Sequence, residues 1–157
     1  MAYLTQEEAY KKADSKVKEI KEGNKSKTKE EGLRIFAESI YIGIEDLIRK
    51  KTLKSWTKAS KYMATSNAKE RLNPPNKEKR YNEYFALSGT ILISQTFKEA
   101  KQLLLLGQYD IDDPNDSRME EFKAVLMIVY ENSDNMSERI ANFETLNLEY
   151  NFKQRAM

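Results

Sequence analysis

The chain has 157 residues, with 27 basic against 25 acidic side chains, and contains neither cysteine nor histidine. That excludes disulfides, thiolate metal sites, the usual imidazole zinc ligand and the commonest general base, so any catalysis would rest on carboxylate, Lys, Tyr, Ser or Thr. The length suits one domain with a core of its own, and no apolar run approaches the ~18 residues of a membrane span.

The N-terminal Met1 to Thr5 turns polar at once. This is unlike a secretory signal, and makes the cytoplasm the expected address, or the host cytoplasm or the particle for a viral chain. Thr5-Gln6-Glu7-Glu8 reads as a capping box, with hydroxyl and carboxylate satisfying free backbone N–H groups at a helix start. Tyr10, Ala13, Val17 and Ile20 follow at spacings of three and four. The stripe is narrow, like a coiled-coil seam, and predicts a first helix lying on the body or on a partner chain.

Thr28-Lys29-Glu30-Glu31 reads as a second capping box. Leu33, Phe36, Ile40, Ile44, Leu47 and Ile48 then predict a long central helix over about 29–51. The alternation Ile40, Ile42, Ile44 also fits a short strand, but helix-period residues continue on both sides. Leu53, Trp56, Ala59, Tyr62 and Met63 predict a third helix. Breaks are expected at Thr65-Ser66-Asn67 and at Asn73-Pro74-Pro75-Asn76, because a proline ends a helix and biases its predecessor toward extended backbone.

A long apolar helix is expected over about 77–106, closed by Gly107. Gly89 and the β-branched run at 90–93 weaken its middle, leaving a break or a short strand near 90–94 open. After the acidic turn 109–116, Ser117-Arg118-Met119-Glu120 reads as a third capping box. Phe122, Val125, Leu126, Val129 and Tyr130 give the buried face of the next helix, and Met136, Ile140 and Phe143 begin the last one. In the tail, Leu146, Leu148, Tyr150 and Phe152 alternate with polar residues, predicting an extended segment whose apolar face needs cover. The competing reading continues the last helix, with Phe143, Leu146 and Tyr150 on one stripe. The expected architecture is a mainly α, single-domain helical bundle of about five or six helices, with 145–157 as an extended interaction tail.

Charge is unevenly placed. From Arg49 to Arg80, eleven basic residues stand against two acidic ones; from Gly107 to Glu149, eleven acids stand against three bases. Such faces meet nucleic acid, or each other, within a chain or head-to-tail between subunits.

Three functions follow. The leading expectation is a non-catalytic binding or assembly protein, working through protein partners or as a homo-oligomer, without cofactor or metal. Its candidate contacts are Tyr10, Ala13, Val17, Ile20, Leu146, Leu148, Tyr150 and Phe152. A viral or phage structural component, or a phage protein that blocks a host factor, fits a motif-free chain rich in Lys, Asn and Ile. The second expectation is sequence-nonspecific nucleic-acid binding by the segment 49–80, through Arg49, Lys50, Lys54, Trp56, Lys58 and Lys61: phosphate contact plus an aromatic platform. The third is a metal-dependent, nuclease-like site in the acidic turn 110–121. There Asp112, Asp113 and Glu121 would hold the ion and Lys123 would help activate water. Read instead as a calcium loop, Asp110, Asp112 and Glu121 fall at positions one, three and twelve, but Pro114, Asn115 and Ser117 break the pattern. No glycine-rich phosphate loop or G-x-S-x-G elbow occurs.

Overall fold

Leu33, Phe36, Ile40 and Ile44 lie on one helical stripe, and all four are fully buried. Ile35, Ala37, Tyr41 and Ile42 are buried as well, so helix α1 (Lys25–Arg49) is covered on most of its circumference over its middle turns. A helix apolar over so wide an arc belongs inside a bundle. The computed structural model describes residues 8, 11, 12, 15, 25–75 and 79–150, and seven helices run through the last two stretches. The expected cap at Thr28 does not start α1, which is already helical from Lys25. A capping box stops a helix only where the chain upstream leaves helical geometry, and Lys25-Ser26-Lys27 contains no glycine or proline to make it leave.

At its other end α1 closes with a Schellman cap. Lys51 sits at φ 63, its N–H donates to the Ile48 carbonyl, and the Thr52 N–H reaches back to Leu47. Helix α2 (Trp56–Tyr62) starts on Ser55, whose hydroxyl accepts from the Lys58 N–H. A short helix, α3 (Ala68–Leu72), falls between the two expected breaks. Asn67 caps it by accepting from the Glu70 N–H at 3.2 Å, and the buried Ser60 hydroxyl accepts from the Ala68 N–H at 2.9 Å.

The expected 77–106 helix is two helices, α4 (Glu83–Ile93) and α5 (Phe97–Leu106). Every residue from Tyr84 to Ile93 is buried, so the β-branched run stays helical, enclosed by neighbours. The break comes after it, at Ser94–Thr96. Thr96 Oγ1 accepts from the Glu99 N–H while the Glu99 carboxylate takes the Gln95 N–H. Thr96-Phe97-Lys98-Glu99 has the hydroxyl-to-carboxylate spacing of a capping box, and that signal marks the break better than Gly89 does. Gly89 serves contact instead: a Cβ there would lie 3.1 Å from Ile40 Cδ1, and one on Gly43 would lie 2.7 Å from Ile93 Cγ2. The two glycines let α1 and α4 approach closely.

Helix α6 spans Ser117–Glu131 and α7 spans Met136–Tyr150. The expected extended segment over 146–152 is therefore corrected as far as Tyr150, through which α7 continues, and its last two residues lie outside the described residues. Phe143 is buried against the Tyr84 ring at 5.5 Å, and Leu146, three residues on, packs half-buried on the same core. Helical spacing serves both contacts, whereas a strand would turn successive residues to opposite faces. Helix α4 touches α1, α5 and α7; α6 bridges α5 and α7; α2 and α3 pack near one another against α1. The buried apolar side chains from Ile35 to Phe143 form one continuous cluster. The architecture is a mainly α helical bundle, as the periodicity predicts.

Three helix ends place a non-glycine residue in the left-handed region: Lys51, Ala64 and Gln108. At Ala64 and Gln108 the following residue again bonds five positions back, Thr65 to Ser60 and Tyr109 to Leu104. Left-handed geometry costs an L-residue about 1–2 kcal/mol, and glycine gives back about 0.5–1 kcal/mol of that in chain entropy. Ala64→Gly, at an exposed position, should therefore raise stability by about 0.5–1 kcal/mol in urea unfolding. A measured loss would show that the helix end does not keep this geometry.

Candidate functional site

The acidic turn uses its carboxylates internally. Asp110 accepts from the Asp112 N–H at 3.0 Å, Asp113 from the Asn115 N–H at 2.9 Å, and Asp116 from the Arg118 N–H at 3.0 Å. Asp116, not Ser117, is thus the cap of α6. The Asp112 side chain is clamped by Lys101 and, at 2.9 Å, by Lys123. Hydrogen bonds from Lys101 first, then Lys123, hold its carboxyl below the usual aspartate range. Glu121 pairs with Arg118 at 2.6 Å, and Arg118 makes a two-point contact with Glu83 at 2.6 and 2.9 Å. The expected ligands Asp112 and Glu121 therefore belong to separate clamps, and Lys123 is a counter-ion. Among the described residues no three acidic side chains converge as a metal site. Residues 124–130 are helical, so the paired strands that the nuclease-like pattern needs are not formed there. Chemically, the turn ties α6 to α5 and α4.

The basic segment divides in two. Arg49 and Lys50 both bond Asp46, whose carboxyl they hold below its usual range, Lys50 foremost. Trp56 is occupied. Its indole N–H donates to Glu45 at 2.9 Å, its ring packs on Tyr41 at 5.1 Å, and Lys69 lies over it at 5.9 Å. A base stacking there would have to displace those partners. Arg71 and Arg80 cover the rings of Phe85 and Tyr109. The Tyr109 hydroxyl donates to the Tyr81 carbonyl, and burial pushes its pKa up to about 12. What remains is a corner of exposed lysines, Lys51, Lys54, Lys58 and Lys61, and the exposed Lys79 at the far end of the segment. Among the described residues none of the four in the corner has an ion-pair partner; Lys58 lies 5.8 Å from the Tyr62 ring centre.

A third feature was not foreseen from the sequence. A groove of about 380 Å³ opens between the α4–α5 turn and the end of α6, lined by Gln95, Thr96, Phe97, Met127, Tyr130 and Glu131. The Tyr130 hydroxyl donates to the Ser94 carbonyl at 2.9 Å and pins one wall; the Thr96–Glu99 cap shapes the other. Met127, 43% exposed, and Ile128, 40% exposed, are the large apolar side chains left in solvent among the described residues. The signal was present: Phe122, Val125, Leu126 and Val129 define the inward stripe of α6, and Met127 and Ile128 fall outside it.

Of the partner contacts expected from sequence, Tyr10, Ala13, Val17, Ile20 and Phe152 lie outside the described residues, as do the side chains of Leu148 and Tyr150. Leu146 packs on the core. No protein-family model, curated protein or solved structure matches the chain. Among the described residues no helix is long and apolar enough to cross a membrane.

Proposed function

We propose that the protein acts by binding, as a non-catalytic component that docks another polypeptide in the groove between the α4–α5 turn and α6. The observation that carries this reading is the exposure of Met127, which lines the groove, and of its neighbour Ile128 on α6, in an otherwise well-buried bundle. Exposed apolar area beside a concave site is where association gains most, at roughly 25 cal/mol per Å² of apolar surface removed from water. Methionine suits such a site because its unbranched thioether adapts to what enters. Phe97 and Tyr130 offer ring surface for an aliphatic or aromatic anchor, while Gln95, Thr96 and Glu131 supply a polar rim that sets orientation. In the acidic turn Asp112 and Glu121 are engaged with lysine and arginine, and Asp110, Asp113 and Asp116 with backbone N–H groups, which supports binding over catalysis.

Panning the immobilised full chain against a library of random displayed peptides tests this reading. Wild type should enrich sequences sharing one large apolar anchor. The Met127→Glu, Ile128→Glu double variant alters two solvent-facing positions, so it should keep its melting temperature and enrich none. Equal enrichment by both proteins would place the contact elsewhere.

A further inference from the structure

We infer that the groove receives the lysine corner of a second copy of this chain, so that copies associate head-to-tail; this rests on the docking reading above and names its partner. The argument starts from charge. On α6 with Met127 and Ile128, the exposed acids Glu120 and Glu131 have no ion-pair partner among the described residues. Glu120 lies seven residues before Met127, two turns along the same side of α6. Glu131 lines the groove itself. On the α6 side the nearby bases are already used, Lys101 and Lys123 on Asp112 and Arg118 on Glu83 and Glu121, while the exposed Lys98 follows Phe97 on the α5 side. The α6 side of the groove is thus an apolar strip flanked by acids.

The lysine corner is its complement. Lys51 and Lys54 lie on the loop after α1, and Lys58 and Lys61 lie one turn apart on α2. All four are exposed and none is ion-paired among the described residues, while Trp56 and Tyr62 show part of their rings beside them. A lysine stem is four methylenes long. It can lie over Met127 and Ile128 while its ammonium reaches the rim carboxylates. Among the described residues no ion pair joins this corner to the groove rim. A contact of α6 with its own copy would instead bring two acidic rims together, which like-charge repulsion opposes. Because the two surfaces differ, the contact is heterologous, and copies add into a ring or an open series.

Sedimentation velocity of the full chain over a concentration series, at about 0.01 M and about 1 M salt, tests the proposal. Between these limits the screening length falls from about 30 Å to about 3 Å. The expected result is a mass above the monomer that grows with concentration at low salt and collapses toward the monomer at high salt. Lys54→Glu with Lys58→Glu, and separately Glu120→Lys with Glu131→Lys, should each weaken association about tenfold or more. Mixing the two variants should restore it, because each then offers the other a complementary surface. All four positions are exposed, and an unchanged melting temperature verifies that the variants fold. A wild type that stays monomeric at both salts overturns the proposal. If the peptide enrichment described above still occurs, the groove stands and only the second copy falls; if both fail, the docking reading falls too. Retardation of random-sequence DNA by a monomeric wild type, lost in Lys54→Glu with Lys58→Glu, also overturns it and assigns the corner to phosphate contact. Swaps that leave the wild-type mass unaltered overturn it as well.

Discussion

Phe36→Ala should lower the stability of the protein by about 3–5 kcal/mol, the range for a buried phenylalanine cut to alanine. The ring is wholly buried on α1, and its surroundings cannot readily close over the gap. On one side stands Tyr81, at a ring-centre distance of 5.9 Å. That ring is itself held, its hydroxyl donating to the Arg71 carbonyl at 2.8 Å and its face stacked on Phe85 at 4.9 Å. On another side is Gly107, so close that a Cβ there would lie 2.9 Å from Phe36 Cδ2. The cavity would open between α1, the end of α5 and the start of α4, where residual volume adds to the transfer cost. Ile44→Ala, also fully buried on α1, should cost about 2–5 kcal/mol. Urea unfolding measures both, with the slope checked for constancy so that the midpoint reports stability. Losses below about 0.5 kcal/mol, the range of surface substitutions, would show that α1 is not the central helix.

Replacing Arg139 by methionine should cost about 2–4 kcal/mol, with a mechanism unrelated to cavity formation. Arg139 is buried on α7, and among the described residues no carboxylate pairs with it. Its guanidinium donates to the carbonyls of Ile91 at 3.0 Å and Leu92 at 3.3 Å, at the C-terminal end of α4. Those carbonyls need a partner because the chain leaves the helix at Ser94, and the Gln95 N–H that would have continued the ladder is taken by Glu99. The cation also sits where the helix dipole is negative. Methionine keeps much of the volume and removes the donors, leaving two buried carbonyls unsatisfied. Arg139→Lys should recover part of the loss, since it keeps the charge and gives up the planar fork. Thermal unfolding of the two variants decides the matter. If methionine proved as stable as arginine, water would be supplying those carbonyls and the contact would be incidental.

Much of the bundle could be read from spacing alone. The stripes at Leu33–Ile44, Phe122–Val129 and Met136–Phe143 placed α1, α6 and α7, because the apolar period of a helix survives in the linear order of its residues, whereas α4 and α5 read as one helix. Boundaries were less legible. Gly107 does cap α5, but the left-handed residue is Gln108, and the small size of Gly107 serves the Phe36 ring that lies against it. The short helix α3 carries too few residues to show a period, and the tail alternation at 146–152 suited a strand as well as a helix until Phe143 and Leu146 met the core.

The candidate sites followed the same division. Charge asymmetry between 49–80 and 107–149 is a property of the sequence, and so are the absence of cysteine and histidine and the helical class. Which charges remain available is not. Asp112 is neutralised by Lys101 and Lys123, eleven residues away on either side, and Trp56 is held by Glu45, eleven residues before it. These pairings depend on where separate helices and their connecting turn come to lie, and no local pattern encodes that. The groove lined by Phe97 and Met127 is likewise made by two helices thirty residues apart. Local order determined which side chains each helix turns inward, since periodicity is a one-dimensional property. Only the packing of the helices decided which of the remaining side chains found a partner and which were left in solvent.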